Sequence, residues 1–133
     1  MLGDPSHPVP KTVLIVEDNE LNLKLLNDIL DYHGYTVFTT QLGEPALELA
    51  RQHRPDLILM DIQLPDISGM EATRRLKADE QTRTIPIIAV TAFAMSGDEA
   101  KIFASGCDAY VSKPFNVVGF LKLVEHWTSV NRA

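Results

Sequence analysis

The chain has 133 residues, the length of a single domain, and a hydrophobic content of 45% that is ordinary for a globular protein. Its formal net charge of -6 and the lack of a basic stripe argue against nucleic-acid binding. No apolar run approaches the roughly 18 residues that a transmembrane helix needs, so we expect no membrane insertion. The single cysteine excludes an intramolecular disulfide, which fits a cytoplasmic location.

The first half of the chain alternates strand and helix patterns. After residues 1–10, whose three prolines indicate a flexible leader, the apolar run Thr12–Val16 predicts a buried strand. Asn19 is placed to cap a helix, and the β-branched segment Thr36–Thr40 predicts a second strand at a sheet edge. Pro45 fits the first turn of the next helix. The residues of the first helix that we expect to face the core are Leu21, Leu25, Leu26, Ile29 and Leu30.

The second half of the chain continues this alternation. Further strands are predicted at Asp56–Met60, Ile87–Thr91 and Ala109–Ser112. Capping boxes at residues 68–71 and 96–99 open two helices, and Asn116 is placed to cap the last helix. The core-facing residues expected after the second capping box are Ala100, Phe103, Ala104 and Cys107. Alternating strands and helices predict a parallel sheet with helices on both faces.

Polar residues stand at the ends of four predicted strands. They are Glu17 and Asp18 after the first strand, Asp61 after the third, Thr91 at the end of the fourth and Lys113 after the fifth. The carboxyl ends of parallel strands share one edge of the sheet, so these side chains should converge there. Each residue alone is more readily explained as a turn former, a helix cap or a solvated charge. Together they suit a divalent cation held by carboxylates and a phosphoryl group accepted by Asp61 as an acyl phosphate.

Four segments carry a resemblance to a known family: VLIVEDN, DLILMDIQLPDISGME, IPIIAVTAFA and GCDAYVSKPF. The chain resembles the receiver domains of two-component response regulators and, among them, the single-domain, DivK-like subgroup. Receiver modules of hybrid histidine kinases carry similar motifs. The resemblance implies a flavodoxin-like (CheY-like), doubly wound parallel sheet with strand order 2-1-3-4-5 and five helices. It also implies a receiver domain over residues 11–128 and a C-terminal tail over residues 129–133.

The resemblance further implies a role for each residue at the sheet edge. Asp61 would be the phosphoacceptor, with Thr91 and Lys113 as its catalytic partners. The groups that would hold a Mg²⁺ (or Mn²⁺) ion are Asp18 as a direct ligand, Glu17 beside it, Asp61 and the backbone carbonyl of Gln63. Tyr110 would move together with Thr91 when the domain switches between its inactive and active forms.

The implied function is that of a stand-alone response regulator. It would take a phosphoryl group from a phosphohistidine on a histidine kinase or a histidine phosphotransfer protein. Phosphorylation would then change its binding to a downstream protein or to a second copy of itself. The expected partner surface includes Phe93, Met95 and Phe115, for which packing against neighbouring helices is an equal explanation. A phosphate shuttle or sink in a phosphorelay is the alternative function.

A turnover enzyme fits the sequence less well. Phosphatases of the haloacid-dehalogenase type carry a second aspartate two residues after the nucleophile, where this chain has Gln63. A nucleotide or flavin binder on the same fold is a second alternative, and the lack of either usual glycine-rich phosphate loop argues against it. We therefore expect a protein that catalyses its own phosphorylation, and its own dephosphorylation, without acting on external substrates.

Overall fold

A computed structural model describes residues 10–91, 98–113 and 116–129 of the chain. The strands are β1 (Thr12–Val16), β2 (Thr36–Thr40), β3 (Leu57–Asp61), β4 (Ile87–Thr91) and β5 (Ala109–Ser112). The helices are α1 (Glu20–Tyr32), α2 (Gly43–His53), α3 (Gly69–Ala78), α4 (Asp98–Ala104) and α5 (Val117–Thr128). Within the described residues, no helix has the length and apolar character needed to cross a membrane.

The strands form one parallel sheet in the order β2-β1-β3-β4-β5. The register places Val16 beside Met60, and Thr91 beside Ser112. All five carboxyl ends therefore lie at the same edge of the sheet. This architecture confirms the predicted fold class, strand order and five helices.

Helices cover both faces of the sheet. Successive side chains of a strand point to opposite faces, so each inner strand contributes to a separate core on each side. On one face, Leu14 and Val16 of β1 belong to a core shared with α2, α3 and α4. On the other face, Val13 and Ile15 belong to a core shared with α1 and α5. Strands that are buried on both faces read as continuous apolar runs, which is why β1 was predicted with its correct bounds.

The third strand begins one residue later than predicted and includes Asp61. Asp56 instead links the start of β3 to β1. Its Oδ2 accepts a hydrogen bond from the Thr12 N–H at 2.8 Å, and its own N–H donates to the Thr12 carbonyl at 2.8 Å. The backbone ladder continues at the other end, where the Ile62 N–H donates to the Val90 carbonyl at 3.2 Å. Asp61 is therefore held within the sheet rather than in a turn.

The predicted inward face of α1 is partly wrong. Leu21 and Leu25 are 79% and 50% exposed, whereas Leu26 and Leu30 are buried and Leu23 packs against the same core. Aliphatic residues surround more of α1 than one sheet can cover, so the spacing alone does not select the buried stripe.

The predicted inward face of α4 is also wrong. Ile102 is buried, whereas Phe103 is 46% exposed and Ala100 and Ala104 are exposed. Cys107 is buried as predicted, although it lies beyond the end of α4. The capping box at residues 96–99 lies partly outside the described residues.

Three predicted helix caps are present. The side chains of Asn19, Ser68 and Asn116 accept hydrogen bonds from backbone N–H groups in the first turns of α1, α3 and α5, at 2.9–3.0 Å. Such caps satisfy N–H groups that have no partner within the helix. They fix where α1, α3 and α5 begin, close to the carboxyl edge of the sheet.

Candidate phosphoacceptor site

A cleft of about 300 Å³ opens at the carboxyl edge of the sheet. Its described lining residues are Glu17, Asp18, Asn19, Asn22, Asp61, Gln63, Thr91 and Lys113. The structure thus brings together all six residues that the sequence assigned to the metal and the phosphoryl group. Asn19 was predicted only as a helix cap and Asn22 not at all, because a polar residue at the start of a helix carries no signal that distinguishes it from an ordinary surface residue.

Asp61 is the last residue of β3 and is only 7% exposed. Its Oδ1 accepts a hydrogen bond from the Gln63 N–H at 3.2 Å, so the following loop orients the carboxylate. Its Oδ2 lies 3.7 Å from the Lys113 Nζ. A Cβ added to Gly69 would lie 2.0 Å from the Asp61 carbonyl oxygen, so only glycine permits the start of α3 to approach so closely.

Glu17 is almost completely buried beside Asp61, at 1% exposure. Its Oε2 accepts hydrogen bonds from the Asn19 N–H at 3.1 Å and from the Lys113 Nζ at 3.3 Å. Burial raises the pKa of Glu17, and the neighbouring Asp61 carboxylate raises it further, whereas the Asn19 N–H and the Lys113 ammonium lower it. The site therefore resists holding two carboxylate charges unless additional positive charge is present.

Among the described residues that line the cleft, Lys113 is the one with a positively charged side chain. Its Nζ lies 3.1 Å from Glu17 Oε1 and 3.7 Å from Asp61 Oδ2, so one ammonium group faces both buried carboxylates. Its backbone N–H donates to the Thr91 carbonyl at 2.7 Å, which fixes the end of β5 against the end of β4. Thr91 is 2% exposed and is the last residue of β4.

The donor set of the cleft fits a hard divalent cation. Its described lining includes three carboxylates but a single ammonium group, so negative charge is in excess. Glu17 Oε1 forms an ion pair with Lys113 but accepts no hydrogen bond from any described residue. A nearby cation would compensate the buried negative charge of this oxygen. No three His, Cys, Asp or Glu side chains among the described residues are grouped to hold a metal by themselves. Mg²⁺ does not require such a group, because it binds through one or two carboxylates and keeps several waters.

Tyr110 faces α4 rather than the cleft. Its hydroxyl donates a hydrogen bond to Glu99 Oε2, and its ring meets the ring of Phe103 edge to face, with centroids 5.6 Å apart. The hydrogen bond to Glu99 raises the pKa of Tyr110, since it stabilises the protonated phenol. The residues predicted for the partner surface, Phe93, Met95 and Phe115, lie outside the described residues.

Among curated proteins, several response regulators are similar to this chain. The polar-differentiation response regulator DivK of Brucella anthropi is 56% identical over 119 residues, covering 90% of this chain and 97% of that protein. DivK of Brucella melitensis is 56% identical over 117 residues, covering 88% of this chain and 95% of that protein. The predicted similarity to the DivK-like subgroup is confirmed.

Solved structures with the same architecture are also receivers. One match is the receiver domain of the sensor histidine kinase PA1611 from Pseudomonas aeruginosa, with a TM-score of 0.86 and 35% identity, covering 92% of this chain and 100% of that one. That structure has a magnesium ion in its active-site cleft. The chemotaxis response regulator CheY4 of Vibrio cholerae matches with a TM-score of 0.84 and 27% identity, covering 90% of this chain and 99% of that one. Residues 13–125 match the response regulator receiver domain family, and the chain therefore belongs to that family.

Proposed function

We propose that Asp61 accepts a phosphoryl group from a phosphohistidine donor in a Mg²⁺-dependent reaction. The observation that carries this proposal is the buried Asp61 carboxylate at the end of β3, within 3.7 Å of the Lys113 ammonium and in one cleft with Glu17 and Asp18. A carboxylate in such a position is a nucleophile toward phosphorus. Receiver domains act in phosphorylation-dependent signalling, and Asp61 would be the residue that is phosphorylated in this chain.

Asp18, Asp61 and the backbone carbonyl of Gln63 would hold the cation, with Glu17 behind them. These residues fit the preference of Mg²⁺ for oxygen ligands. When bound, the cation supplies charge neutralisation for the phosphoryl oxygens. Mn²⁺ shares this preference for carboxylate and carbonyl oxygens and would serve as a substitute.

In the transfer, a carboxylate oxygen of Asp61 forms a bond to phosphorus while the bond between phosphorus and the donor imidazole nitrogen breaks. The electron pair of that bond leaves with the imidazole. The Lys113 ammonium lowers the repulsion between the Asp61 carboxylate and the approaching phosphoryl oxygens. The Thr91 hydroxyl, at the end of β4, would donate a hydrogen bond to one of those oxygens. Such a reaction depends mainly on positioning and charge neutralisation.

The output of the switch is assigned to the face that contains α4 and β5. Tyr110 holds Glu99 by a hydrogen bond and contacts Phe103, which is 46% exposed. A movement of Thr91 toward the phosphoryl group that draws Tyr110 inward would break both contacts. A change of a few kcal/mol between the two forms is enough to shift their populations. The downstream protein would bind this face together with the predicted residues Phe93, Met95 and Phe115.

The intact mass of the protein after incubation with acetyl phosphate and Mg²⁺ tests the proposal. We expect one phosphoryl adduct that disappears with EDTA and in Asp61→Asn. The matched control is Asp28→Asn, which removes an exposed carboxylate paired with Lys24 on α1 and should leave the adduct unchanged. An adduct that survives in Asp61→Asn would refute the assignment.

A second incubation separates a switch from a phosphate shuttle. Phosphorylated protein is mixed with a histidine phosphotransfer protein, and the loss of the adduct is followed with time. Retention of the adduct supports a switch that acts by binding. Rapid reverse transfer supports a shuttle or sink in a phosphorelay.

A further inference from the structure

Helix α2 takes its N-terminal cap from a distant residue. Its own N-cap position is Leu42, which has no side chain able to accept a hydrogen bond. Asp66 replaces it: Oδ1 accepts from the Gly43 N–H at 2.8 Å and Oδ2 accepts from the Glu44 N–H at 2.7 Å. These partners are 23 and 22 residues apart in the chain, so the cap ties two separate segments together.

The segment that carries Asp66 is the loop of residues 62–68, which joins β3 to α3. It packs directly on the first turn of α2. A Cβ added to Gly43 would lie 2.7 Å from Ile67 Cγ1 and 3.3 Å from Leu64 Cδ1, so the loop uses the space that glycine leaves open. The carboxylate of Asp66 and the side chains of Leu64 and Ile67 therefore dock the middle of this loop on α2.

Both ends of the same loop meet the phosphoacceptor. At its start, the Gln63 N–H donates to Asp61 Oδ1 at 3.2 Å. At its end, the Gly69 N–H donates to the Ile62 carbonyl at 2.8 Å, and a Cβ added to Gly69 would lie 2.0 Å from the Asp61 carbonyl oxygen. A shift of the loop on α2 would therefore change the position of the Gln63 backbone and the orientation of the Asp61 carboxylate.

We propose that Asp66 is a positioning residue for the phosphoacceptor site. By capping α2, its carboxylate fixes the loop so that the Gln63 backbone stands at the edge of the cleft and holds Asp61 Oδ1. This inference rests on the proposed function of Asp61 and Gln63. Groups that orient metal ligands commonly affect metal affinity by about 10–100-fold. Because the effect passes through the backbone of one ligand, we expect the lower end of that range.

The test compares divalent-cation affinity in three variants of the whole chain. Asp66→Ala removes both accepted hydrogen bonds, and Asp66→Asn retains one acceptor oxygen. The control is Asp79→Ala, which removes a carboxylate that accepts from the Gln81 N–H and pairs with Arg51, at the other end of α3. Mn²⁺ binding is followed by the loss of the electron paramagnetic resonance signal of free Mn²⁺, and urea unfolding measures the stability of each variant.

We expect the Mn²⁺ dissociation constant to rise about tenfold in Asp66→Ala, by a smaller factor in Asp66→Asn, and not at all in Asp79→Ala. Unchanged affinity in Asp66→Ala, or an equal loss in Asp79→Ala, would overturn the positioning role. If Asp66→Ala does not fold, the comparison of Asp66→Asn with Asp79→Ala decides by the same criterion. Wild-type protein that binds no Mn²⁺ would overturn the proposed function and this inference together, whereas normal wild-type binding with unaffected variants overturns the inference alone.

Discussion

Gly69→Ala should damage both stability and phosphorylation, because it adds one methyl group at the tightest contact beside Asp61. The new Cβ would lie 2.0 Å from the Asp61 carbonyl oxygen and 2.9 Å from the Ile62 Cα, both of which are backbone atoms. The Asp61 carbonyl and the start of α3 must therefore move apart by about 1 Å or more, since Cβ contacts below 3.0 Å are essentially never seen. Overpacking of this kind costs about 1–3 kcal/mol. Any gain in helix propensity from alanine is at most about 1 kcal/mol and is smaller in a first turn.

The assay is urea unfolding together with the initial rate of labelling by acetyl phosphate and Mg²⁺. The matched control is Gly119→Ala in the first turn of α5, where the nearest atom to the added Cβ is Asn116 Oδ1 at 3.8 Å. We expect the control to keep or slightly raise stability and to label at the wild-type rate. We expect Gly69→Ala to unfold at a urea concentration lower by about 1 M and to label more slowly. Equal behaviour of the two variants would refute the tight contact between α3 and Asp61.

Three further predictions follow from burial and capping. Leu30→Ala should lower the free energy of unfolding by about 2–5 kcal/mol because Leu30 is buried. Leu21→Ala, at an exposed position, should change it by no more than about 0.5 kcal/mol, and urea unfolding of both variants measures the difference. Asn19→Ala should cost about 1 kcal/mol by removing the α1 cap, and an unchanged unfolding midpoint would contradict that role. Burial raises the pKa of the Cys107 thiol to about 11, so native protein should react slowly with iodoacetamide until the pH nears 11, whereas urea-unfolded protein should react near pH 9. This shift also favours the folded state below about pH 9 and loses that contribution as the pH rises toward 11.

The sequence predicts the sheet and the membership of the cleft well, for a physical reason. Strands buried on both faces need uninterrupted apolar runs, and parallel strands bring their carboxyl ends to one edge. The residues that follow such runs, such as Asp18, Asp61 and Lys113, are therefore brought together by topology alone. Their individual distances and burial, such as the 1% exposure of Glu17, depend on packing and appear only in three dimensions.

Two features of the structure could not be predicted from the sequence, for different reasons. The aliphatic residues of α1 surround much of the helix, so periodicity did not distinguish the exposed Leu21 from the buried Leu26. Asp66 follows a proline, and a Pro-Asp pair is typical of an ordinary turn. Its role as the cap of α2 depends on a partner more than 20 residues away, and a local pattern contains no information about such a partner.

The most direct test of Asp61 as the phosphoacceptor is to identify the labelled residue chemically. Protein treated with acetyl phosphate and Mg²⁺ is reduced with sodium borohydride, which converts an aspartyl phosphate to homoserine, and the peptides are sequenced by tandem mass spectrometry. We expect homoserine at position 61. Reduction at Asp18 or at Glu17, with Asp61 unmodified, would contradict it.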